Sequence, residues 1–285
     1  MSQSRAQDSS DIWLGKLSLR DNTQITDLVR LTNTNAYTNQ PYFFGNDYLY
    51  YTQSEGEGDA AQTDVFRFSL VVGTSKNLTQ STDAEYSPTP AFANGSMSLI
   101  RVNSEGKQQL WVYNLQGNPK QHLVPAIEPV GYHVWLDDES LLLFVLGQPH
   151  TLQLTQSSPE SVGKVIDDNI GASLFQYKNT SWFLYSRTSE EGNWLKAYNK
   201  DSGKVRQVAR LPNDAKYFAV TASGRVLSSN GKTLFVRDIT QDKQKLKPIG
   251  KWHAIDINEK QCQQGISRVA VSPDSSMVAL VCSNE

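Results

Sequence analysis

Short apolar runs alternate with clusters of Gly, Asn, Asp, Ser and Pro along the whole chain, and the three-to-four spacing of an amphipathic helix is nowhere sustained. The runs recur in a fixed order. Strand-like segments with matching positions open each cycle at Ile12, Val65, Leu110, Thr151, Leu195 and Leu234, at intervals of 53, 45, 41, 44 and 39 residues. A four-stranded propeller blade takes about 40–50 residues, whereas helical repeats of about 33–34 do not fit. A second strand follows, ending at Leu31-Thr32 in the first cycle and at Leu78-Thr79 in the second. Then comes a hairpin around a polar turn, within 41–52, 90–102, 132–146, 174–186, 217–229 and 268–283.

The phase of these halves decides the architecture. The chain opens with a first-half pair, 11–32, and closes with a second-half pair, 268–283. In that last hairpin Val269 and Val271 precede a Ser-Pro-Asp-Ser turn, and Val278, Leu280 and Val281 follow it. A lone hairpin is marginal in water, and an open ring leaves strand edges uncovered. The pattern therefore predicts an all-β, six-bladed β-propeller with four antiparallel strands per blade. Its ring is closed by the N-terminal strands pairing with the C-terminal hairpin. Residues 1–10 read as a polar lead-in and 11–285 as one propeller domain.

The Ser-Pro-Asp-Ser turn is accompanied by Asp11-Ile12-Trp13, Leu31-Thr32, Pro41 and Leu49-Tyr50 in the first cycle. The second cycle has Asp64-Val65-Phe66, Leu78-Thr79 and Ser87-Pro88. Together these resemble the WD40-like PD40 repeat of TolB-type propellers, over nearly the whole chain. The departures are specific: one cycle alone keeps Pro-Asp, Ser275 stands where the repeat has Gly, and the fourth and fifth cycles are eroded. No segment matches the additional N-terminal domain of TolB. The resemblance implies a stand-alone propeller that binds a protein or peptide without catalysis, in a periplasmic or secreted setting. Propellers host unrelated functions, so the motif itself carries no activity.

Composition narrows the classes of partner. Net charge is −2, with 27 basic and 29 acidic residues interspersed. Neither a basic stripe for nucleic acid nor a polybasic membrane patch is present. No apolar run reaches the ~18 residues of a transmembrane helix. The leading MSQSRAQDSS lacks a hydrophobic h-region; it fits a cytosolic start or a trimmed export precursor. A monomer without cofactor or metal is expected. Of the two cysteines, Cys282 falls opposite Ser267 in the expected hairpin, not opposite Cys262. The favoured reading packs Cys282 as a small hydrophobe and leaves Cys262 in a loop; a disulfide requires that loop to fold back.

Candidate chemistry gathers where loops enter the innermost strands, at one mouth of the central channel. The residues chosen for ligand or partner binding are Tyr37, Gln40, Glu85, Tyr86, Tyr132, His133, Asp168, Lys216 and Arg268. Around them stand Asn35, Asn39, Asp83, Glu128, Asp167, Asn169, Asp214 and Gln264, so the set holds more acids than bases. It suits a peptide, a cation or a polyhydroxy ligand. His133 beside a carboxylate such as Glu85, with Tyr132, is the candidate acid–base group of a rival reading, a lyase or hydrolase acting on saccharide or peptide. A hydrogen-bonded structural histidine is the plainer alternative. Arg101 and Arg268 are candidates for bidentate carboxylate binding or for salt bridges between blades. Glu55, Glu57 and Asp59 alternate as Ca²⁺ ligands would but lack EF-hand spacing, and Asp137-Asp138-Glu139 reads as a turn. Asn-x-Ser/Thr sequons occur at Asn77, Asn94 and Asn179. G-x-S-x-G, H-E-x-x-H, C-x-x-C and the P-loop are absent.

Overall fold

The strands expected from the repeat are all present in a computed structural model of the chain, which describes residues 9–20, 23–56, 61–93, 95–242, 245–257, 262 and 265–284. Among the described residues, 24 strands form six four-stranded antiparallel sheets. The first blade runs outward through β3 (Thr38–Phe44), β4 (Tyr48–Glu55), β5 (Gln62–Ser69) and β6 (Thr74–Asn77). Four more blades span 84–122, 130–168, 170–210 and 218–255. Their inner strands are β7 (Ala84–Pro90), β11 (Val130–Trp135), β15 (Ile170–Gln176) and β19 (Phe218–Val220). The sixth joins both ends of the chain: β23 (Ile266–Val271), β24 (Met277–Ser283), β1 (Ser10–Ser18) and β2 (Gln24–Arg30), in that order.

The closure is continuous. β1 and β24 pair without a break from Ser10↔Ser283 to Lys16↔Met277. Apolar side chains alternate between the two faces of each sheet, so every blade presents an oily face to each neighbour. The buried core accordingly lies in slabs between consecutive blades. Ile12, Leu14, Ala279 and Val281 pack on Phe43, Leu49 and Tyr51 of the first blade. On the other side, Leu17, Val278 and Leu280 meet Leu227, Leu234 and Val236 of the fifth.

The recurring Asp…Leu-Thr motif has a physical reason. In the closing blade, Thr32 Oγ1 donates to Asp11 Oδ1 at 2.7 Å and accepts the Ile12 amide at 2.9 Å. In the first blade Thr79 Oγ1 makes the same two bonds, to Asp64 Oδ1 and from the Val65 amide. Each motif thus staples the end of an outer strand onto the strand beside it. At the Pro-Asp turn, Asp274 Oδ1 accepts from Ser272 Oγ and from the amide and hydroxyl of Ser276. Ser275 takes φ +60°, the conformation for which the repeat uses glycine. Its hydroxyl accepts the Ala222 amide of the next blade at 2.8 Å, a contact glycine lacks.

Two expectations are corrected. The inner strand of the second blade is 84–90, so the residues from Ala91 onward form its turn and not a strand. The cysteines are bridged: Cys262 and Cys282 form a disulfide with their Cα atoms 5.5 Å apart. Cys282 pairs with Ile266 across the hairpin, not with Cys262, so the bridge ties Cys262, which precedes β23, to the strand pair.

Candidate functional site in the central channel

Five of the six inner strands break their pairing with a bulge near the start, between Asn39 and Tyr42, Tyr86 and Thr89, Val130 and Tyr132, Ile170 and Leu174, and Ile266 and Arg268. A bulge re-aims the side chains that follow it, and here those side chains line the axis. Gln40 and Ser87 adopt φ of +54° and +55° immediately before Pro41 and Pro88. These prolines sit on the innermost edge, where no further ladder partner needs their missing N–H.

The narrow part of the channel is a cavity of about 80 Å³ lined from all six blades, among others by Gln40, Ser87, Tyr132, His133, Phe175, Tyr217 and Arg268. Toward the inner turns it widens to about 400 Å³ along Tyr42, Phe43, Phe175, Val220, Val271 and Pro273, with Lys178 at the rim. Pro41, Tyr42 and Phe175 belong to both parts.

Arg268 dominates the narrow part. Its Nη2 donates to Tyr132 Oη at 2.5 Å, and its guanidinium carbon lies 5.1 Å from the Tyr132 ring centroid and 4.1 Å from that of Tyr217. Electron-rich ring faces stabilise a cation without neutralising it. No carboxylate among the described residues pairs with Arg268. Burial pushes the Tyr37 hydroxyl well above its usual pKa, with the Arg268 charge opposing and Tyr132, Tyr86 and Tyr217 reinforcing the shift. Those four phenols and one guanidinium therefore share one electrostatic environment. Gln40 is fixed by Thr52 Oγ1 and the Ser87 amide, both donating to its Oε1, and its Nε2 reaches Tyr132 Oη at 3.4 Å.

His133 is 5% exposed, and its Nε2 lies 2.6 Å from Ser98 Oγ. Burial lowers its pKa to about 3, so the ring is neutral at physiological pH. Glu85 is elsewhere: completely buried, it accepts from Ser81 Oγ at 2.5 Å and from Tyr113 Oη at 3.3 Å. The structure does not bring His133 and Glu85 together as an acid–base pair.

Of the other acids expected at the mouth, Asp214 is exposed, and the rest have partners. Asp83 pairs with Arg101 at 2.6 Å, and Glu128 accepts from Gln109 at 2.8 Å. Asp168 pairs with Arg187 at 2.7 Å, and Asp167 binds Arg187, Lys196 and Tyr185. Tyr86 Oη donates to Thr63 Oγ1 at 3.3 Å, and Lys216 is exposed. Of the nine chosen residues, Gln40, Tyr132, His133 and Arg268 line the cavity, while Tyr37, Glu85, Tyr86, Asp168 and Lys216 do not. Neither part of the channel is lined by an Asp or Glu, so the acid-rich rim expected from sequence is replaced by an axis carrying Arg268 and Lys178. Gln264, Glu57, Asp59 and Asn94 lie outside the described residues. Glu55 accepts from Asn77, and Asp137 caps its own turn through Ser140. Among the described residues no three His, Cys, Asp or Glu side chains gather as a metal site. Tyr217, Ser87, Tyr42 and Phe175 were missed by sequence reasoning. The x-Pro steps at Gln40-Pro41 and Ser87-Pro88 were the available signal for Ser87.

No family model and no curated protein matches the sequence. Solved structures do. A TolB from Agrobacterium tumefaciens aligns with a TM-score of 0.68 at 13% identity, over 98% of this chain and 99% of that one. The fold is that of a TolB-like propeller. TolB from Acinetobacter baumannii aligns at 0.56 and 10% identity; this propeller covers 64% of its length, against 97% of its own. A chain of a nidogen/laminin complex aligns at 0.60 and 10% identity, over 80% of this propeller and 89% of that chain.

Proposed function

We propose that this propeller is a non-catalytic scaffold of the bacterial envelope, monomeric, that receives a protein or peptide partner at its central channel. The observation that carries the reading is Arg268, held between Tyr132 and Tyr217 with no carboxylate partner among the described residues. Arg and Tyr are the residues around which binding energy concentrates at interfaces. The wider part beside them, of mixed polar and apolar lining, has room for an extended chain. Structural neighbours taken from protein complexes support a protein partner, and the TolB neighbours support an envelope setting. The rival enzyme reading rests on a histidine and a carboxylate that do not meet.

The test is affinity capture from envelope extracts with the wild-type chain, a Tyr42→Ala/Phe175→Ala variant and a control carrying Ile249→Lys on the outermost strand of the fifth blade. The expected result is a defined protein retained by wild type and control and lost from the channel variant. Equal capture by all three, or no defined protein, overturns the proposal.

A further inference from the structure

Two buried polar atoms of the narrow cavity have no hydrogen-bond partner among the described residues, His133 Nδ1 and Ser87 Oγ. Their side chains are 5% and 7% exposed. Leaving such groups unsatisfied costs free energy, so the wall that holds them is polar and kept at a cost.

The surrounding bonds fix where the protons lie. Ser98 Oγ already accepts the Trp135 indole N–H at 2.9 Å. Its own proton has two acceptors in reach, His133 Nε2 at 2.6 Å and the Thr89 carbonyl at 3.4 Å. The short contact takes it, which makes Nε2 the acceptor and places the ring proton on Nδ1. Nδ1–H is then a donor without an acceptor. Ser87 adds a hydroxyl proton and Arg268 a permanent cation. All three residues line a cavity whose lining has no Asp or Glu, in a protein with 29 acidic residues overall.

We infer that the narrow part of the channel is a carboxylate-binding site in which Arg268, with His133 and Ser87 beside it on the wall, receives the acidic tip of a peptide. The tip is a C-terminal carboxylate or an Asp or Glu side chain. Size favours a tip over a whole ligand: about 80 Å³ holds a few water-sized groups, well short of the roughly 300–1,000 Å³ of sites for drug-sized molecules. The chain that follows the tip has room in the wider part, along Tyr42 and Phe175. A guanidinium caged by phenols, and not neutralised by a carboxylate, is ready for a charge-assisted bond. The inference rests on the channel being the docking surface.

The experiment uses acetate and four matched acetyl-capped pentapeptides with the same apolar stem. They carry Glu with a free C-terminus, Glu with a C-terminal amide, Gln with a free C-terminus, and Gln with a C-terminal amide. Binding is read by NMR titration and by calorimetry on wild type, Arg268→Gln and Ser87→Ala. Acetate is expected to shift the His133 ring resonances of wild type, and at least one carboxylate-bearing peptide to bind roughly ten- to a hundredfold more tightly than the Gln amide. The Glu amide and the Gln acid separate side-chain from terminal carboxylate. Arg268→Gln should abolish the discrimination, and Ser87→Ala should reduce it severalfold. Equal affinity for all four peptides, or no response of the wild-type His133 ring to acetate, overturns the inference without needing any variant to fold. Two further outcomes separate this inference from the scaffold reading. A captured protein that needs Tyr42 and Phe175 but not Arg268 leaves the scaffold standing and removes the carboxylate site. Acetate binding at Arg268 with no captured protein does the reverse.

Discussion

Asp11 and Arg268 lie in one sheet, on β1 and β23, with only β24 between them, and the fold treats their charges in opposite ways. Asp11 is completely buried and saturated. Its Oδ1 accepts from Thr32 and the Thr34 amide, and its Oδ2 from Asn284 and Arg30. Arg268 has phenols and ring faces instead of a counter-charge. A buried charge whose donors and acceptors are all matched holds neighbouring strands together. One that meets only phenols on a channel wall, with no counter-charge, remains available to a charged visitor. The contrast separates the part of the closing blade that keeps the ring shut from the part that faces its contents.

The sharpest way to break this contrast is Asp11→Ala. The substitution strands Thr32, Asn284 and Arg30 beside the seam where the two chain ends meet. Removing one partner of a buried ion pair costs about 3–5 kcal/mol, with the lower end expected because Arg30 is about one-third exposed. Urea denaturation measures the loss. A change under about 1 kcal/mol would show that β1↔β24 pairing and apolar packing close the ring unaided.

Glu85 tests the same distinction between matched and unmatched groups. Burial raises its pKa to about 7, against the hydrogen bonds from Ser81 and Tyr113 and with the Asp64 charge adding to the rise. Its Oε2 has no partner among the described residues. The unfolded carboxyl titrates near 4.3, so stability is full below that pH. It falls as pH rises through about 7, while the unfolded chain ionises and the folded one holds its proton. The total is on the order of 3 kcal/mol. Glu85→Gln removes this slope, so the variant should gain on wild type between pH 5 and pH 8 in urea melts. Parallel profiles for the two proteins would place the Glu85 carboxyl in a wetter setting than its burial implies.

Ring closure was legible in the sequence because it follows from phase. Half a blade at 11–32 and half at 268–283 have one economical solution, and the observed register from Ser10↔Ser283 onward is that solution. The channel was legible only as a neighbourhood. Asp83, Glu85, Glu128 and Asp168 occupy the expected loops. Their partners Arg101, Tyr113, Gln109 and Arg187 lie 18 to 28 residues away, on strands whose register the sequence does not display. Bulges compound the problem, since one extra residue turns every later side chain to the other face. Tyr217 was overlooked for that kind of reason: it stands just ahead of a three-residue inner strand too short to announce its direction. The disulfide shows the same limit: the bulge between Ile266 and Arg268 sets Cys282 opposite Ile266, one residue from the expected Ser267, and a hairpin register says nothing of where Cys262 lies.

The smallest effect is expected where the contrast is sharpest. Arg268→Met keeps most of the length of the side chain and its contact with the Tyr217 ring while deleting the charge and the bond to Tyr132. Matched charges are costly to remove, whereas an unmatched one in a partly buried wall already carries its desolvation penalty. The folded protein should therefore change by no more than about 1 kcal/mol in urea, in either direction, with a gain as reasonable as a loss where a binding residue is kept at the expense of stability. A loss approaching that of Asp11→Ala would place Arg268 among the struts of the ring. Its cage of phenols would then be a packing device, and the unpartnered donors of His133 and Ser87 would have to be explained without it.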